Sequence, residues 1–369
     1  MKELYLDSNA HVPMSRAVTK VYADFQASKA GWGHPSAPSG PGQAASSELE
    51  TARGKIATLL GAEKPSQIAF TSTCTQACEW GLSMLLSSWK GDRYWLWHSG
   101  MEHSAVKDWM DRQECYMPTL PVSSDGVISK PDKPCDYAVC VHVQNEIGTI
   151  QPLEELQADF LFSDMCQSPG KVSINLKDMP VDIAVFGAHK FGGPASVGFV
   201  YVKNHRIYRE FGTGSRYFND RPGTPDVGGV VATAAALEET LMAMPERLQK
   251  MKEFQTVLED RLQDMDLEII GKNASRAPNT TFVKMPGIAF SILAALSNKQ
   301  IYVGMGSACG SMHTGPSPSM KTIGQTGDAH DFLRISQHGE YGKQEALFLA
   351  DQLHNLLKQY KEKDVTDNR

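Results

Sequence analysis

The stretch that most constrains this chain is an apolar run that ends abruptly in reactive side chains. Val181–Asp182–Ile183–Ala184–Val185–Phe186 has the length of one strand, and its valine and isoleucine fit a strand buried on both faces. It passes into Gly187–Ala188–His189–Lys190 and then breaks at Gly192–Gly193–Pro194. Lys190 is therefore expected to project from the end of a core strand. Desolvation there lowers the pKa of an ammonium and makes the amine a nucleophile. The competing reading is a lysine that reaches past the strand end to water. The stretch alone leaves the two readings level.

The rest of the chain repeats this pattern. Ile68–Ala69–Phe70, Tyr94–Trp95–Leu96–Trp97, Tyr137 to Val143 and Phe160–Leu161–Phe162 read as strands, and helical spacing lies between several of them. Val197 to Val202 should return beside the Lys190 strand. Alternation of this kind predicts an α/β fold with a mostly parallel sheet covered by helices. Thr75, His103, Asn145, Asp164, Gln167, His189 and Lys190 each follow the carboxyl end of a predicted strand, where open α/β sheets bind ligands. Thr71–Ser72–Thr73–Cys74–Thr75 leads into a helix that Thr75 is positioned to cap, a generic anion site. Beyond about residue 245, shorter strands and helices predict a second, smaller α/β domain. The expected division is 13–245 for the large domain, with 1–12 and 246–369 forming the small one. Lys361 to Arg369 reads as a frayed, charged tail.

Composition removes several function classes. A net charge of −6 over 369 residues gives no electrostatic reason to expect direct nucleic-acid binding. No apolar run approaches the roughly 20 residues of a membrane span, and Met1–Lys2–Glu3–Leu4 does not begin a signal peptide, so the expectation is cytoplasmic. Seven scattered cysteines, with no Cys-x-x-Cys pair, suit neither a disulfide framework nor structural zinc, and no metal is expected.

A lysine at one strand end, an aspartate at another and an anion-ready helix start match the needs of pyridoxal 5'-phosphate. That cofactor takes a lysine for its Schiff base, a carboxylate for its ring nitrogen and a cradle for its phosphate. Cys309, in Gly306–Ser307–Ala308–Cys309–Gly310, adds a thiol on a glycine-flanked loop. At this point the chain resembles the cysteine desulfurases, group I type, which are class V aminotransferase-like enzymes of pyridoxal-phosphate fold type I. The resemblance rests on an ordered series. It includes Tyr5–Leu6–Asp7 with Asn9–Ala10, Glu102–His103–Ser104–Ala105–Val106, Asn145–Glu146–Ile147–Gly148, Asp164 with Gln167, His189–Lys190, Thr224, Gly306–Ser307–Ala308–Cys309 and Leu333–Arg334–Ile335–Ser336.

The resemblance implies roles for those positions. Lys190 would anchor the cofactor and move the Cα proton. Asp164 would pair with the ring nitrogen, Gln167 with the ring hydroxyl, and His103 would stack on the ring and shuttle protons. Cys74, Thr75 and His189 would hold the phosphate, and Thr224 would reach it from the neighbouring subunit of a homodimer. Asn145 and Arg334 would bind the carboxylate of L-cysteine, Arg334 as a fork. Cys309, activated as a thiolate, would take the substrate sulfur as a persulfide, release L-alanine and pass the sulfur to an acceptor protein that the sequence does not identify. Two other readings stay open: another reaction of the same cofactor, as in a selenocysteine lyase or an aminotransferase, and a non-catalytic scaffold.

Three departures from the family stand out. Gly187 sits where a phosphate-binding serine is usual, a hydroxyl contact worth about 1 kcal/mol net unless water or backbone replaces it. His11 and His34 replace other polar residues of the family pattern. The connections after Gly126 and after Pro152 are too short or too proline-rich for full crossover helices.

Overall fold

The computed structural model describes residues 3–87, 95–113, 117–133, 135–204, 224–306 and 315–367. Its centre is a six-stranded sheet of β2 (Ile68–Thr71), β3 (Leu96–His98), β4 (Tyr137–Val141), β5 (Phe160–Asp164), β6 (Ile183–Gly187) and β7 (Gly198–Val202), in the order β2-β7-β6-β5-β4-β3. β3 to β6 pair in parallel, and β7 runs antiparallel to both β6 and β2. Every residue of β6 is buried, and its side chains divide by the two-residue period of a strand. Ile183 and Val185 pack on one face with Ala77, Leu82, Val106 and Trp109. Those partners come from α3 (Cys74–Ser87) and α4 (Ser104–Asp111). Ala184 and Phe186 pack on the other face with Val18, Leu49, Ile56 and Val230. These come from α1 (Arg16–Ala27), α2 (Gly40–Leu59) and α5 (Val227–Met242). Full burial of a Val, Ile or Phe side chain contributes about 1.5–3 kcal/mol, so the apolar run commits this segment to the middle of the sheet.

A second core lies around β1 (Leu4–Leu6), which pairs in parallel with β10 (Ile301–Val303). Beside it β11 (Phe332–Ser336), β9 (Thr280–Lys284) and β8 (Glu268–Ile269) form an antiparallel sheet. α6 (Met244–Asp264), α7 (Ala289–Ser297) and α9 (Lys343–Asp367) cover this region with Phe254, Leu258, Ile292, Leu349 and Leu353. A short α8 (Pro318–Thr322) precedes β11.

Several local expectations are corrected. β6 ends at Gly187, and Lys190 closes a single 3-10 turn, Ala188–Lys190, instead of extending the strand. In the glycine- and proline-rich stretch around residue 40, α2 begins at Gly40, because Ser39 caps the helix by accepting from the Gly42 N–H and Pro41 fits its first turn. Thr73, not Thr75, caps α3: its hydroxyl accepts from the Gln76 N–H at 3.1 Å. The expected frayed tail is helical as far as Asp367, where lysine and glutamate are good helix formers. The segment after Pro152 folds as one 3-10 turn, Leu153–Glu155, consistent with the short connection read from the sequence.

Candidate functional site

The carboxyl ends of β4, β5 and β6 and the start of α3 bring most of the expected residues together. Pairing in register sets Asp164, the last residue of β5, against Val185 of β6 and Val141 of β4. Its carboxylate is buried and accepts from the Cys166 N–H at 3.0 Å. Lys190 is half-buried, and its ammonium donates to the carbonyls of Asn9 at 2.8 Å and Ala10 at 2.9 Å. Burial pushes its pKa below the ordinary lysine value; the positive charge of Arg334 adds to this, while Cys166, Cys74 and Asp164 oppose it. The lysine therefore does not simply reach for water.

His103 caps α4: its Nδ1 accepts from the Ala105 N–H at 3.2 Å, which leaves the neutral ring carrying its proton on Nε2. Burial lowers the pKa of that ring below the ordinary histidine value, opposed by Asp164 and aided by Lys190. His189 stacks on His11 with ring centroids 5.7 Å apart, and burial, with the charge of Lys190, pushes its pKa down to about 3. Thr75 lies exposed in the first turn of α3, beside helix amides that have no intrahelical partner and a dipole that favours an anion by about 0.3–1 kcal/mol.

Arg334, at 1% exposure, is the most enclosed of the charged groups here. Its Nη2 donates to Asp7 Oδ1 at 2.7 Å and its Nη1 to the Asn145 carbonyl at 3.1 Å. Among the described residues its buried Nε has no hydrogen-bond partner, which leaves one donor of the guanidinium fork unsatisfied. A cavity of about 440 Å³ includes His103, Asn145, Glu146, Gly306 and Gly315 in its wall. Gly306 and Gly315 are the described residues on either side of the segment that carries Cys309, and Cys309 itself lies outside the described residues. Thr224 is exposed, with its hydroxyl 3.2 Å from His34 Nε2, and no described hydrogen bond joins it to the Lys190 group.

Two residues to which the sequence reading gave no role organise the site. Asn9 accepts at its carbonyl from Lys190 and from Gln167 Nε2, and its side chain joins Lys171, Asn279, Thr280 and the Asn145 carbonyl. Lys171 is buried against Asn9 and Gln167 Oε1, and burial holds its pKa well below the usual lysine value. Asn9 stands in the motif series that carries the resemblance and Lys171 four residues after Gln167, but the hub they form depends on β1 joining the small core, which no local pattern encodes. Gly187 also gains an explanation. A Cβ there would lie 3.0 Å from Cys74 Cβ and 3.3 Å from His189 Cε1, so the cysteine occupies the room a side chain would need.

The group tests well for pyridoxal phosphate: a desolvated lysine, a buried carboxylate at the next strand end, a neutral histidine and an open helix start are the donor set that cofactor requires. Comparisons with known proteins agree. The family model for class-V aminotransferases matches residues 4–347. The cysteine desulfurase IscS of Dictyoglomus turgidum is 30% identical, with 96% of this chain and 95% of the relative aligned. The IscS of Clostridium botulinum strain Kyoto is 28% identical, with 98% and 96% aligned. A solved structure of a NifS-like protein superposes with a TM-score of 0.82 at 26% identity, covering 97% of this chain and all of that one.

Proposed function

This chain belongs to the class-V aminotransferase family, and from that premise we propose that it is a pyridoxal-phosphate-dependent cysteine desulfurase acting on L-cysteine. The observation that carries the reading is the desolvated Lys190 amine set among Asp164, His103 and Arg334. When bound, the cofactor supplies an electron sink for the bonds at the substrate Cα.

The residues divide the remaining work. Lys190, its pKa lowered by burial, would hold the cofactor through Nζ and carry the Cα proton. Asp164 would hold the ring nitrogen, and Gln167, now bonded to Asn9, would hold the ring hydroxyl. Cys74, Thr75 and His189 would hold the phosphate at the start of α3. Asn145 and Arg334 would orient the substrate carboxylate, and His103 would carry a proton at Nε2. Cys309 would attack the substrate sulfur as a thiolate: an S–S bond forms, the C–S bond breaks with its electron pair left toward Cβ, Cβ takes up a proton, and L-alanine leaves with Cys309 as a persulfide. The sulfur then passes to an acceptor protein. The chain works as a homodimer in which Thr224 serves the neighbouring site.

The test is to incubate the purified protein with the cofactor and L-cysteine and to measure alanine and sulfide. Equal turnover in Cys309→Ala would assign another reaction of the same cofactor, and absence of both products in the wild type would overturn the reading. Lys190→Ala is expected to lose the visible absorption of lysine-bound cofactor together with activity.

A further inference from the structure

Two cysteines whose sulfurs make and break no bond in the desulfurase reaction meet near Asp164. Cys74 opens α3, Cys166 follows the end of β5, and their Sγ atoms lie 2.6 Å apart as free thiols. An oxygen of the Asp164 carboxylate lies within 4.8 Å of both sulfurs. Cys166 is buried and Cys74, the first residue of α3, is half-buried. The approach is built into the backbone: Gly187 has no side chain to hold Cys74 away, and Cys166 is fixed by its N–H to Asp164. Cys78, one helical turn behind, is fully buried, and i,i+4 helix positions keep its Cβ about 5–6 Å from that of Cys74, beyond disulfide range.

We propose that Cys74 and Cys166 are an oxidation site that closes to a reversible disulfide when a small hydroperoxide reaches them in the cofactor-free protein. The half-buried Cys74 reacts first. Its sulfur takes a hydroxyl from the O–O bond, the thiol proton leaves with the second oxygen as water, and sulfur is oxidised by two electrons as the peroxide is reduced. The Cys166 sulfur then displaces that hydroxyl, forming the S–S bond and a second water. The hydrogen bond to Cys74, together with burial, raises the pKa of Cys166. Against the lowering effect of Cys166, hydrogen bonding to Cys78 and burial raise that of Cys74, so both thiols react slowly and their enclosure favours small oxidants. The bond ties the start of α3 to the end of β5. Those are the two places that hold the phosphate and the ring nitrogen, so the link resets the distance between them. This consequence rests on the cofactor reading above; the disulfide itself does not.

The experiment compares full-length protein stripped of cofactor with cofactor-loaded protein, each exposed to hydrogen peroxide, alkylated, digested and mapped by mass spectrometry. A peptide pair joining Cys74 and Cys166, two hydrogens lighter than its parts, is expected in the stripped protein. It should be several-fold scarcer in the loaded protein, reversed by dithiothreitol, retained in Cys78→Ala and absent in Cys166→Ala. Recovery of both cysteines as separate alkylated peptides from stripped, peroxide-treated protein overturns the proposal. Titration of the linked protein with pyridoxal phosphate should show affinity weaker by about tenfold and restored on reduction. Unchanged affinity overturns the control of cofactor binding. Failure of the reduced chain to bind pyridoxal phosphate overturns the cofactor reading and leaves the link standing.

Discussion

Gly187 shows how a single residue can be read as a loss in sequence and as a fit in structure. The missing serine points to a weakened phosphate site, whereas in the fold Cys74 Cβ already fills the space. Gly187→Ser should therefore destabilise the protein by about 1–2 kcal/mol through overpacking. Combined with Cys74→Gly, the cost should fall below the sum of the single changes by about 1 kcal/mol, measured as a double-mutant cycle in urea. Additive costs would remove the steric account. Histidines carry a second residue-scale consequence. Burial lowers the pKa of His142 to about 4 and those of His189 and His338 to about 3, from an ordinary 6.5. Between those values the unfolded chain binds protons that the native protein does not. Stability from these groups is therefore complete above pH 6.5 and is lost as pH falls toward 3. Denaturation midpoints measured from pH 7.5 down to 4.5 should fall with pH, and more shallowly in His338→Gln. An equal slope in that variant would contradict the assignment to His338.

Among the elements, β7 carries more than its pairing. Its first residue, Gly198, lies where a Cβ would stand 2.4 Å from the Thr73 carbonyl, so the turn that starts α3 rests directly on the strand. Gly198→Ala must push that turn away. It should cost about 1–3 kcal/mol and weaken cofactor binding as well, because Thr75 moves with the turn. Equilibrium unfolding and cofactor titration check the two effects separately, and a stability loss with unchanged affinity would detach β7 from the site. How much of this was legible in the sequence depends on the range of each interaction. β4, β5, β6 and β7 were readable because an apolar run in a doubly covered sheet declares itself locally, and polar residues that follow β4, β5 and β6 lie at neighbouring strand ends. The capping of α3 was assigned two residues too far along, because threonines stand at both 73 and 75 and only backbone geometry chooses between them. The Asn9 hub and the Cys74–Cys166 pair were not legible: both join residues more than 90 positions apart, through packing that leaves no periodic trace.

At the scale of the whole molecule, Thr224 is the residue that does not fit a one-chain site. It is exposed, and the hydrogen bond described for its hydroxyl is to His34, while Lys190, Asp164, His103 and Arg334 influence one another electrostatically within the chain. If Thr224 completes the phosphate cradle of a neighbouring copy, subunits damaged at different places should repair each other. Thr224→Ala alone should weaken pyridoxal-phosphate binding by about tenfold, the worth of one hydrogen bond to a charged group. Lys190→Ala alone should be inactive. In an equal mixture after subunit exchange, half of the dimers pair one of each. Each such dimer holds one site with both Lys190 and a partner-supplied Thr224, and one site with neither. At limiting cofactor, roughly a quarter of all sites should then bind and turn over as in the wild type, a fraction that follows from two-fold symmetry alone. If Thr224 instead serves its own chain, no mixed dimer regains a complete site, and the mixture behaves as the average of its parts. Sedimentation of the wild type as a monomer would exclude the exchange and the intersubunit role together.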